Sequence, residues 1–279
     1  MSLADRAAIL PTPGDSRLTR EVAGEDETGA AVSLAVVEER PLTIFLNAEE
    51  IVTAMTVGDY PEYLALGYLL NQRILRADDK VNAIDYDDEL GVVVVRAEGE
   101  GVGRSLGRRV RTSGCAEGTV FESFMEEVAE VRLADGGCLK VSDFYHFLGE
   151  IARVPSLYLR AGAIHGTALA RGRDLLVFFE DVGRHNAVDK VAGWMASEGV
   201  AASDKWLYTT GRLTSEMVLK SVQMGVPVVA SRSGFTHAGV EMARRANLTL
   251  IGRARGHRFT VLSGGGRLKR DAEVSRGRV

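Results

Sequence analysis

Apolar and polar residues in the first hundred positions follow the spacings of short strands around a single helix. The segments AVSLAVV and RPLTIFLN predict two strands separated by a polar turn at Glu38–Pro41. The segment DYPEYLALGYLLNQRIL has apolar residues at helical spacing, with Asp59 as a candidate N-cap and Pro61 at an early helical position. The segment VNAIDYDDELGVVVVRAEG predicts a hairpin around an acidic turn. These elements indicate a small α+β domain over residues 31–108.

The pattern changes after about residue 157, where apolar segments of strand length alternate with amphipathic segments of helix length. The predicted strands are SLYLRAG, LLVFFE, KWLYTTG, VPVVAS and LTLIGRA, and the predicted helices are AVDKVAGWMASEG, SEMVLKSVQMG and HAGVEMARRAN. This alternation predicts an α/β domain over residues 109–270, with a mostly parallel sheet covered by helices. Residues 1–30 are polar and interrupted by Pro and Gly, which predicts a mobile lead-in, and residues 271–279 form a short tail.

Composition limits the classes of protein that fit this pattern. The chain has 279 residues, of which 46% are hydrophobic and 26% charged, as is ordinary for a soluble globular protein. No apolar run approaches the roughly 18 residues of a membrane span, and the N-terminus is too short and too acidic for a secretory signal. Two cysteines in a chain of this length do not make a disulfide framework. We therefore expect a cytoplasmic protein that does not bind a membrane.

Charge is distributed unevenly along the chain. The net charge of −4 argues against general binding of nucleic acid. Residues 1–100 carry a net charge of −12, whereas residues 252–279 carry +6. A basic terminal segment on an acidic protein indicates a localised anionic ligand or partner, and a solvated basic tail fits the same charges equally well.

Polar residues gather in three loops, each of which follows a predicted strand and precedes a predicted helix. Ligands of open α/β sheets bind beyond the carboxyl ends of the strands, where helix N-termini offer N–H donors. Each loop also carries an arginine that can hold a phosphate with two hydrogen bonds. One such loop alone fits ordinary N-capping beside a surface arginine, whereas three at one sheet edge favour a phosphate-bearing ligand, in particular a nucleotide. The candidate binding residues in these loops are Asp181, Arg184, His185, Asn186, Thr210, Gly211, Arg212, Ser231, Ser233 and Thr236.

A second cationic group follows the last predicted strand. Arg253, Arg255, His257 and Arg258 crowd around Gly256, which suits a tight turn that presents cations to an anion. An exposed basic hairpin without a ligand fits the same residues.

The histidines do not predict a metal site. His165 is followed by Gly166 and Thr167, and the sequence lacks the Pro-Cys-x-x-Cys pair that zinc deaminases combine with such a histidine. Zinc catalysis is therefore disfavoured, and we expect no metal ligands. By themselves, His165 and His185 are more typical of hydrogen-bonded structural residues than of catalysts.

The two cysteines have different neighbours. Cys138 lies between two glycines and an apolar leucine just before a predicted helix, and we expect it to be packed in the interior. Cys115 follows Arg108, Arg109 and Arg111, and such cations stabilise a thiolate. With no Cys-x-x-Cys motif in the chain, a dithiol couple is absent, although a lone thiolate can still attack, be acylated or carry sulfur as a persulfide. Local chemistry alone leaves open whether Cys115 is functional.

Four segments together resemble one known family. They are RPLTIFLN, YLALGYLLNQRIL, EDVGRHNAVDKVAGW and the long run TTGRLTSEMVLKSVQMGVPVVASRSGFTHAGVEMARRANLTLIGRARGHRF. In this order they resemble the formate dehydrogenase accessory sulfurtransferase family, the FdhD family, from about residue 35 to residue 270. The segment EDVGRHNAVDK is the most specific of the four.

The resemblance implies a fold and a function. It implies a homodimer in which a cytidine-deaminase-like α/β domain without zinc chemistry is preceded by a smaller domain. It implies that sulfur is received from a cysteine desulfurase as a persulfide and passed to the molybdenum bis(molybdopterin guanine dinucleotide) cofactor that formate dehydrogenase needs. Cys115 occupies the first position of the family's Cys-x-x-Cys loop, so the resemblance makes it the catalytic sulfur carrier. The family's cofactor-binding stretch falls on Arg253, Ala254, Arg255, Gly256, His257 and Arg258.

The chain departs from the family's pattern at three places. Gly118 stands at the second loop cysteine, which excludes any mechanism that needs disulfide exchange within the loop. Ala161-Gly162-Ala163 replaces Thr-Gly-Gly before the histidine, and Arg253 stands where many relatives carry Phe. The first hypothesis is a sulfurtransferase with a Cys115 persulfide. The second is a non-catalytic chaperone that binds and delivers the molybdenum cofactor, and the third is an unrelated nucleotide-dependent enzyme that uses the same sheet edge.

Overall fold

The N-terminal part of the protein is a small sheet with one helix. The structure, a computed structural model, describes residues 7–99 and 131–272. The strands of this part are β1 (Thr19–Glu25), β2 (Ala31–Val37), β3 (Arg40–Leu46), β4 (Glu49–Thr56), β5 (Lys80–Asp87) and β6 (Val92–Glu98), and the helix is α1 (Pro61–Asn71). β1 pairs with β2, and the other strands form a sheet in the order β4–β3–β6–β5. The predicted helix and the β5–β6 hairpin are confirmed.

The core of this part follows from the alternation of its strands. Strand β3 buries every second residue, Leu42, Ile44 and Leu46, against α1. Helix α1 presents Leu64 and Leu69 to that sheet, and both side chains are fully buried. Nearly all of α1 is buried, since its other side packs against a helix of the second part.

The second part is built on a six-stranded sheet in the order β13–β12–β11–β10–β8–β9. Its strands are β8 (His165–Arg171), β9 (Asp174–Asp181), β10 (Trp206–Thr209), β11 (Val228–Ser231), β12 (Thr249–Arg255) and β13 (Arg258–Ser263). Two short strands, β7 (Leu139–Lys140) and β14 (Leu268–Lys269), pair with each other. The helices of this part are α2 (Val141–Ile151), α3 (Leu157–Ala161), α4 (Arg184–Ser197), α5 (Ser215–Gln223) and α6 (His237–Arg245).

The large sheet is mixed, and the expectation of a mostly parallel sheet is wrong. Of the five neighbouring strand pairs that the described residues form in this sheet, only β10–β11 and β11–β12 are parallel. Short connections explain two of the three antiparallel pairs, because hairpin loops of two residues allow only antiparallel pairing. One such loop joins β8 to β9 and contains Gly172, and another joins β12 to β13 and contains Gly256. Both glycines adopt the positive φ that these turns require.

Helices cover both faces of the large sheet. Helices α4, α5 and α6 lie on one face, against alternate strand residues such as Leu207, Val229 and Leu250. Helix α2 covers the other face, where Phe144 and Phe147 pack edge-to-face on the Trp206 ring. Successive strand residues therefore enter different cores, as the period-two geometry of a strand requires.

The two parts meet where α1 crosses α4 at the distance of backbone contact. A Cβ atom placed on Gly67 would lie 1.8 Å from the carbonyl oxygen of Asp189, and one on Gly193 would lie 2.0 Å from that of Tyr63. The layers therefore run from the four-stranded sheet through α1 and α4 to the six-stranded sheet and α2. Neither glycine can be replaced without moving one helix away from the other.

Two local predictions are wrong. The segment SLYLRAG does not form a strand, because Ser156 caps α3 by accepting a hydrogen bond from the Tyr158 N–H, and the strand begins later, at His165. Asp59 does not cap α1 either. Tyr60, with φ of 49°, occupies the N-cap position, and the Asp59 carboxylate instead contacts the Lys190 ammonium. The segment SLYLRAG has only seven residues, which is too few for periodicity to separate a helix from a strand. Asp59 was mistaken for a cap because its partner Lys190 lies 131 positions away and leaves no local signal.

The lead-in predicted for residues 1–30 also differs from the described structure. Residues 19–25 form β1, which pairs along its whole length with β2. Ile9 forms a β-bridge with Val177, and Leu18 is buried. A few apolar residues thus anchor a segment whose composition is polar. Within the described part of the chain, no helix combines the length and the apolar character needed to cross a membrane.

Candidate functional site

The three polar loops predicted from the sequence meet at one edge of the six-stranded sheet. Asp181 at the end of β9 is paired in register with His165 at the start of β8. The Thr210 N–H, just after β10, donates to the Gly166 carbonyl over 2.9 Å. The Arg232 N–H, just after β11, donates to the Thr209 carbonyl over 3.2 Å. The loops after β9, β10 and β11 are therefore neighbours in space.

Small hydroxyl side chains at this edge shape the loops. The Ser231 hydroxyl is buried, donates to the Gly211 carbonyl over 2.6 Å and accepts from the Ser233 N–H. The Thr210 hydroxyl accepts from the Gly166 N–H over 3.0 Å. Ser231 and Thr210, both predicted to bind a ligand, thus hold neighbouring backbone segments at fixed distances.

The N-termini of α5 and α6 differ in how they are capped. Thr236 caps α6, because its hydroxyl accepts from the Gly239 N–H over 3.2 Å. Thr214 occupies the same position at α5, but its buried hydroxyl oxygen has no hydrogen-bond partner among residues 7–99 and 131–272. Helix α5 therefore begins at this edge with its N-cap hydroxyl still available as a donor or acceptor.

Three arginines make this edge electropositive. Burial lowers the pKa of His165, and the guanidinium groups of Arg184, Arg212 and Arg232 lower it further. The Arg184 side chain packs against Gly211, where an added Cβ atom would lie 2.9 Å from the Arg184 Cβ atom. One arginine from each predicted loop thus lies near the same histidine. Such a cluster attracts a phosphate-bearing ligand.

His185 is paired with a carboxylate. Its Nε2 atom lies 3.2 Å from a carboxylate oxygen of Glu216 at the start of α5. Burial lowers the pKa of His185 to about 3, with Lys220 and Arg184 adding to the effect. The imidazole is therefore neutral at pH 7. The two interpretations of His185 from the sequence, as a hydrogen-bonded residue and as a ligand-binding residue, stay predictions.

Asp181 and Asn186 form hydrogen bonds within their own loop. The buried Asp181 carboxylate accepts from the Gly183 N–H over 3.0 Å and from the Asn186 amide over 2.9 Å. The Asn186 amide also donates to the Met55 carbonyl over 2.8 Å. These contacts hold the loop together, and the role of both residues in ligand binding stays a prediction.

Sequence reasoning missed a group of buried charges beneath this loop. Lys190 contacts the carboxylates of Asp181 and Asp59, and Lys220 contacts that of Asp189. Asp189 and Lys190 interrupt the apolar run of α4, and both are fully buried. Charged residues inside an apolar helical run were the signal in the sequence that could have revealed this group.

The basic hairpin between β12 and β13 borders a cavity of about 520 Å³. The cavity is lined by Tyr145, Arg253, His257, Arg258, Phe259 and Thr260. Its aromatic wall includes the His257 ring, stacked on the Tyr145 ring with centroids 4.6 Å apart.

The backbone ties this cavity to the loop edge. Arg253 has an unusual positive φ of 55°, and its N–H donates to the Ser233 carbonyl over 2.7 Å. Gly256 has φ of 54° and forms the predicted tight turn. Ala254 is buried, so its side chain does not reach the cavity, whereas Tyr145 reaches it from α2 and was not predicted.

The two cysteines are placed differently from the expectations. Cys115 and Gly118 lie outside the described residues. Cys138 is exposed, and the expectation that it is packed in the interior is wrong. Leu139 takes the buried position in β7, and the alternation of strand residues leaves the preceding Cys138 facing solvent. Across the described ranges, no group of His, Cys, Asp and Glu side chains is arranged to hold a metal ion.

Comparison with known proteins extends over most of the chain. Residues 37–269 match the FdhD/NarQ family. A protein named sulfur carrier protein FdhD from Listeria monocytogenes is 29% identical over 86% of this chain and 94% of its own length. The protein of the same name from Bacillus subtilis is 30% identical over 81% of this chain and 87% of its own length.

A solved structure has a similar fold. It is that of a protein assigned as a formate dehydrogenase accessory protein from Desulfotalea psychrophila, at 29% identity and a TM-score of 0.73. The similarity covers 90% of this chain and 98% of that one, so it includes both the small sheet and the large one.

Proposed function

Because the chain belongs to the FdhD/NarQ family, we propose that it is a sulfur carrier that serves the maturation of a formate dehydrogenase. The observation that carries the proposal is the match over residues 37–269, which includes the loop edge, the basic hairpin and the segment that contains Cys115. The sulfur donor is a cysteine desulfurase. The recipient is the molybdenum bis(molybdopterin guanine dinucleotide) cofactor, which is cargo and remains with the dehydrogenase.

Cys115 is the sulfur-carrying residue in this proposal. Its thiolate attacks the outer sulfur of the desulfurase persulfide, a new S–S bond forms on Cys115, and the donor cysteine leaves as a thiolate. Arg108, Arg109 and Arg111 precede Cys115 in the sequence, and neighbouring cations favour the thiolate that this attack requires. Cys138, the second cysteine, precedes β7 and is not part of this step.

Gly118 determines how the sulfur leaves. Release of the outer sulfur of a persulfide as sulfide takes two electrons, which a second thiol can supply as the two cysteines form a disulfide. This chain has Gly118 where that thiol would stand. An external thiol therefore supplies the electrons: it attacks the Cys115 sulfur, forms a mixed disulfide with Cys115 and releases the outer sulfur as sulfide, and a second external thiol then frees Cys115.

The loop edge and the hairpin cavity form the cofactor site of this proposal. The cluster of Arg184, Arg212 and Arg232 supports binding of the phosphates, together with the N-terminus of α5. The stacked rings of Tyr145 and His257 beside Arg258 support binding of a planar guanine base. The backbone hydrogen bond between Arg253 and Ser233 joins the hairpin to the loop edge. It thereby supports the binding of one ligand whose base and phosphates lie in the two places.

A chaperone without sulfur chemistry is the alternative, and Gly118 is the observation that favours it. Such a protein binds and delivers the cofactor through the same edge and cavity. It differs from the sulfur carrier only in the fate of Cys115. A test on that one residue therefore separates the two functions.

The sulfur carrier is tested by mass. The protein is incubated with a cysteine desulfurase and cysteine, and its intact mass is measured without reductant. Wild type and the matched variant Cys138→Ala are expected to gain one sulfur atom, and Cys115→Ala none. If wild type gains no sulfur but binds GDP, the carrier is wrong and the chaperone stands. If Cys115→Ala gains sulfur and Cys138→Ala does not, the assignment of Cys115 is contradicted.

The finer features of fold and assembly belong to the same proposal. The strand order β9–β8–β10–β11–β12, with only β8 reversed among the four strands β8, β10, β11 and β12, supports a cytidine-deaminase-like topology for the large sheet. We also propose that the protein is a cytoplasmic homodimer. Sedimentation equilibrium at micromolar concentration tests the assembly, and a monomer mass contradicts it.

A further inference from the structure

A layer of buried charges lies between the two parts of the protein. Lys190, from α4, is fully buried, and its ammonium lies 2.7 Å from the Asp181 carboxylate and also contacts Asp59. It donates in addition to the Glu180 carbonyl over 3.0 Å. Burial opposes the charged form, but the two carboxylates outweigh it and raise the pKa of Lys190. The lysine is therefore a fixed cation that joins α4 to two separate loops.

The Asp181 side chain fixes the shape of its own loop through hydrogen bonds. The Gly183 N–H and the Asn186 amide both donate to its Oδ1 atom, and its Oδ2 atom faces Lys190 and Thr56. Because Asp181 is fully buried, these contacts are not weakened by water. The orientation of Asp181 thus sets the path of residues 182–186, which carry Arg184 and His185 to the sheet edge.

The N-terminal part supplies three of the contacts that hold this loop. The Thr56 hydroxyl, at the end of β4, donates to Asp181 Oδ2 over 2.5 Å. The Met55 carbonyl accepts from the Asn186 amide, and the Asp59 carboxylate contacts Lys190 from the loop before α1. Residues of the N-terminal part therefore hold in place a loop that belongs to the large sheet.

We propose that Thr56, Asp59 and Lys190 are positioning residues that hold the Asp181–Asn186 loop in its ligand-binding shape, so that the small N-terminal sheet completes the nucleotide site. The inference rests on the proposed function for the identity of the ligand. It assigns the N-terminal sheet a part in binding through its contacts with the loop and with Lys190.

A second buried pair in the same layer provides an internal comparison. Lys220 lies 2.5 Å from the Asp189 carboxylate, and Asn71 of α1 donates to Asp189 over 2.7 Å. These residues join α4 to α1 and to α5, and among residues 7–99 and 131–272 the Asp189 side chain forms no hydrogen bond with residues 182–186. The Asn71–Asp189 and Thr56–Asp181 hydrogen bonds both join the N-terminal part to a buried aspartate of the second part. Only the Thr56–Asp181 bond is also linked to the ligand loop.

The test compares Thr56→Val with Asn71→Leu. Each change removes one buried neutral donor to a buried aspartate and keeps the size of the side chain, and Thr56→Val also removes the acceptor of the Gly58 N–H. Three quantities are measured on the full chain: the dissociation constant for GDP by calorimetry, the thermal midpoint, and amide exchange of a peptide spanning residues 179–187. Exchange of the Gly183 amide reports the contact with Asp181 without any ligand.

We expect similar losses in the thermal midpoint for the two variants. Thr56→Val is expected to weaken GDP binding about tenfold and to speed exchange of the loop peptide about tenfold, whereas Asn71→Leu leaves both within about twofold of wild type. Thr56→Ser, which keeps the hydroxyl, is expected to restore most of the affinity.

Two results overturn the inference. One is a Thr56→Val variant with wild-type affinity and wild-type loop exchange. The other is an equal effect of both variants on affinity and exchange, which would make the whole layer merely structural. If wild type itself does not bind GDP, the nucleotide part of the proposed function is wrong, and the difference in loop exchange alone decides the positioning role.

Discussion

Charged side chains occur in two contrasting settings in this protein. Between α1 and α4, Lys190 and Lys220 are buried and each is paired with aspartate. On the hairpin between β12 and β13, Arg253, Arg255 and Arg258 are exposed, and no described carboxylate lies within ion-pair distance of them. The charges of the buried cations are balanced by carboxylates of the protein itself. The exposed cations remain available to an anion, so we propose that the first group holds the site together and that the second contacts the ligand.

Removal of a buried cation is expected to have the largest effect. Lys190→Met leaves Asp59 and Asp181 facing each other without a countercharge and is expected to cost about 3–5 kcal/mol of unfolding free energy. Arg255→Met, which removes an exposed cation, is expected to change the stability by less than about 0.5 kcal/mol. Urea unfolding followed by circular dichroism measures both. Equal losses in the two variants would contradict the contrast between the settings.

The contact between the two helices is expected to come next. Gly67→Ala places a methyl group into the backbone of α4 and is expected to cost about 1–3 kcal/mol by forcing α1 outward. Gly149→Ala in α2 is the control, because a Cβ atom there meets nothing within 4 Å. The control is expected to match or exceed wild-type stability, since alanine favours a helix more than glycine does. A Gly67→Ala variant as stable as its control would show that the helices are not in contact.

The exposed cations are expected to affect binding and not folding. The double variant Arg255→Gln and Arg258→Gln is expected to weaken GDP binding about tenfold and to reduce the dependence of that binding on salt. Arg96→Gln, which removes an exposed arginine from β6, is the matched control and is expected to bind as wild type does. Fluorescence anisotropy with a labelled guanine nucleotide at two salt concentrations measures the effect. Unchanged affinity in the double variant would remove the hairpin from the site.

A smaller effect is expected from pH. Burial lowers the pKa of His185 to about 3, below the value of about 6.5 in an unfolded chain, so the unfolded state binds the proton first. Stability is therefore complete above pH 6.5 and declines as the pH falls towards 3, by about 1 kcal/mol between pH 6 and pH 5 from this residue alone. His185→Gln is expected to reduce that decline in urea unfolding curves. An identical decline in wild type and variant would mean that His185 is protonated in the folded state.

The sequence predicted well what depends on local patterns. The strands LLVFFE and VPVVAS and the helices that begin at Arg184, Ser215 and His237 follow from residue spacing, and the structure contains all five. The loops after β9, β10 and β11 meet as expected, because strand ends on one side of a sheet share an edge.

What depends on distant partners was not predictable from spacing. Asp59 resembles a helix cap in the sequence, and only the fold reveals Lys190 as its partner. Thr56 and Asp181 are 125 positions apart, so no window of sequence contains both. The cavity ring of Tyr145 comes from α2 and meets His257 only because the hairpin folds back over that helix. Cys138 was misplaced for a simpler reason, since one position in a strand exchanges the buried face for the exposed one.

Complementation of a formate dehydrogenase would test the sulfur carrier as a whole. A bacterium that lacks its own family member receives this chain, Cys115→Ala or Cys138→Ala, at equal protein levels, and formate-dependent dye reduction is measured in extracts. The chain and Cys138→Ala are expected to restore activity, and Cys115→Ala is expected to restore none. Full activity with Cys115→Ala would contradict sulfur transfer through this residue and would leave the chaperone as the function.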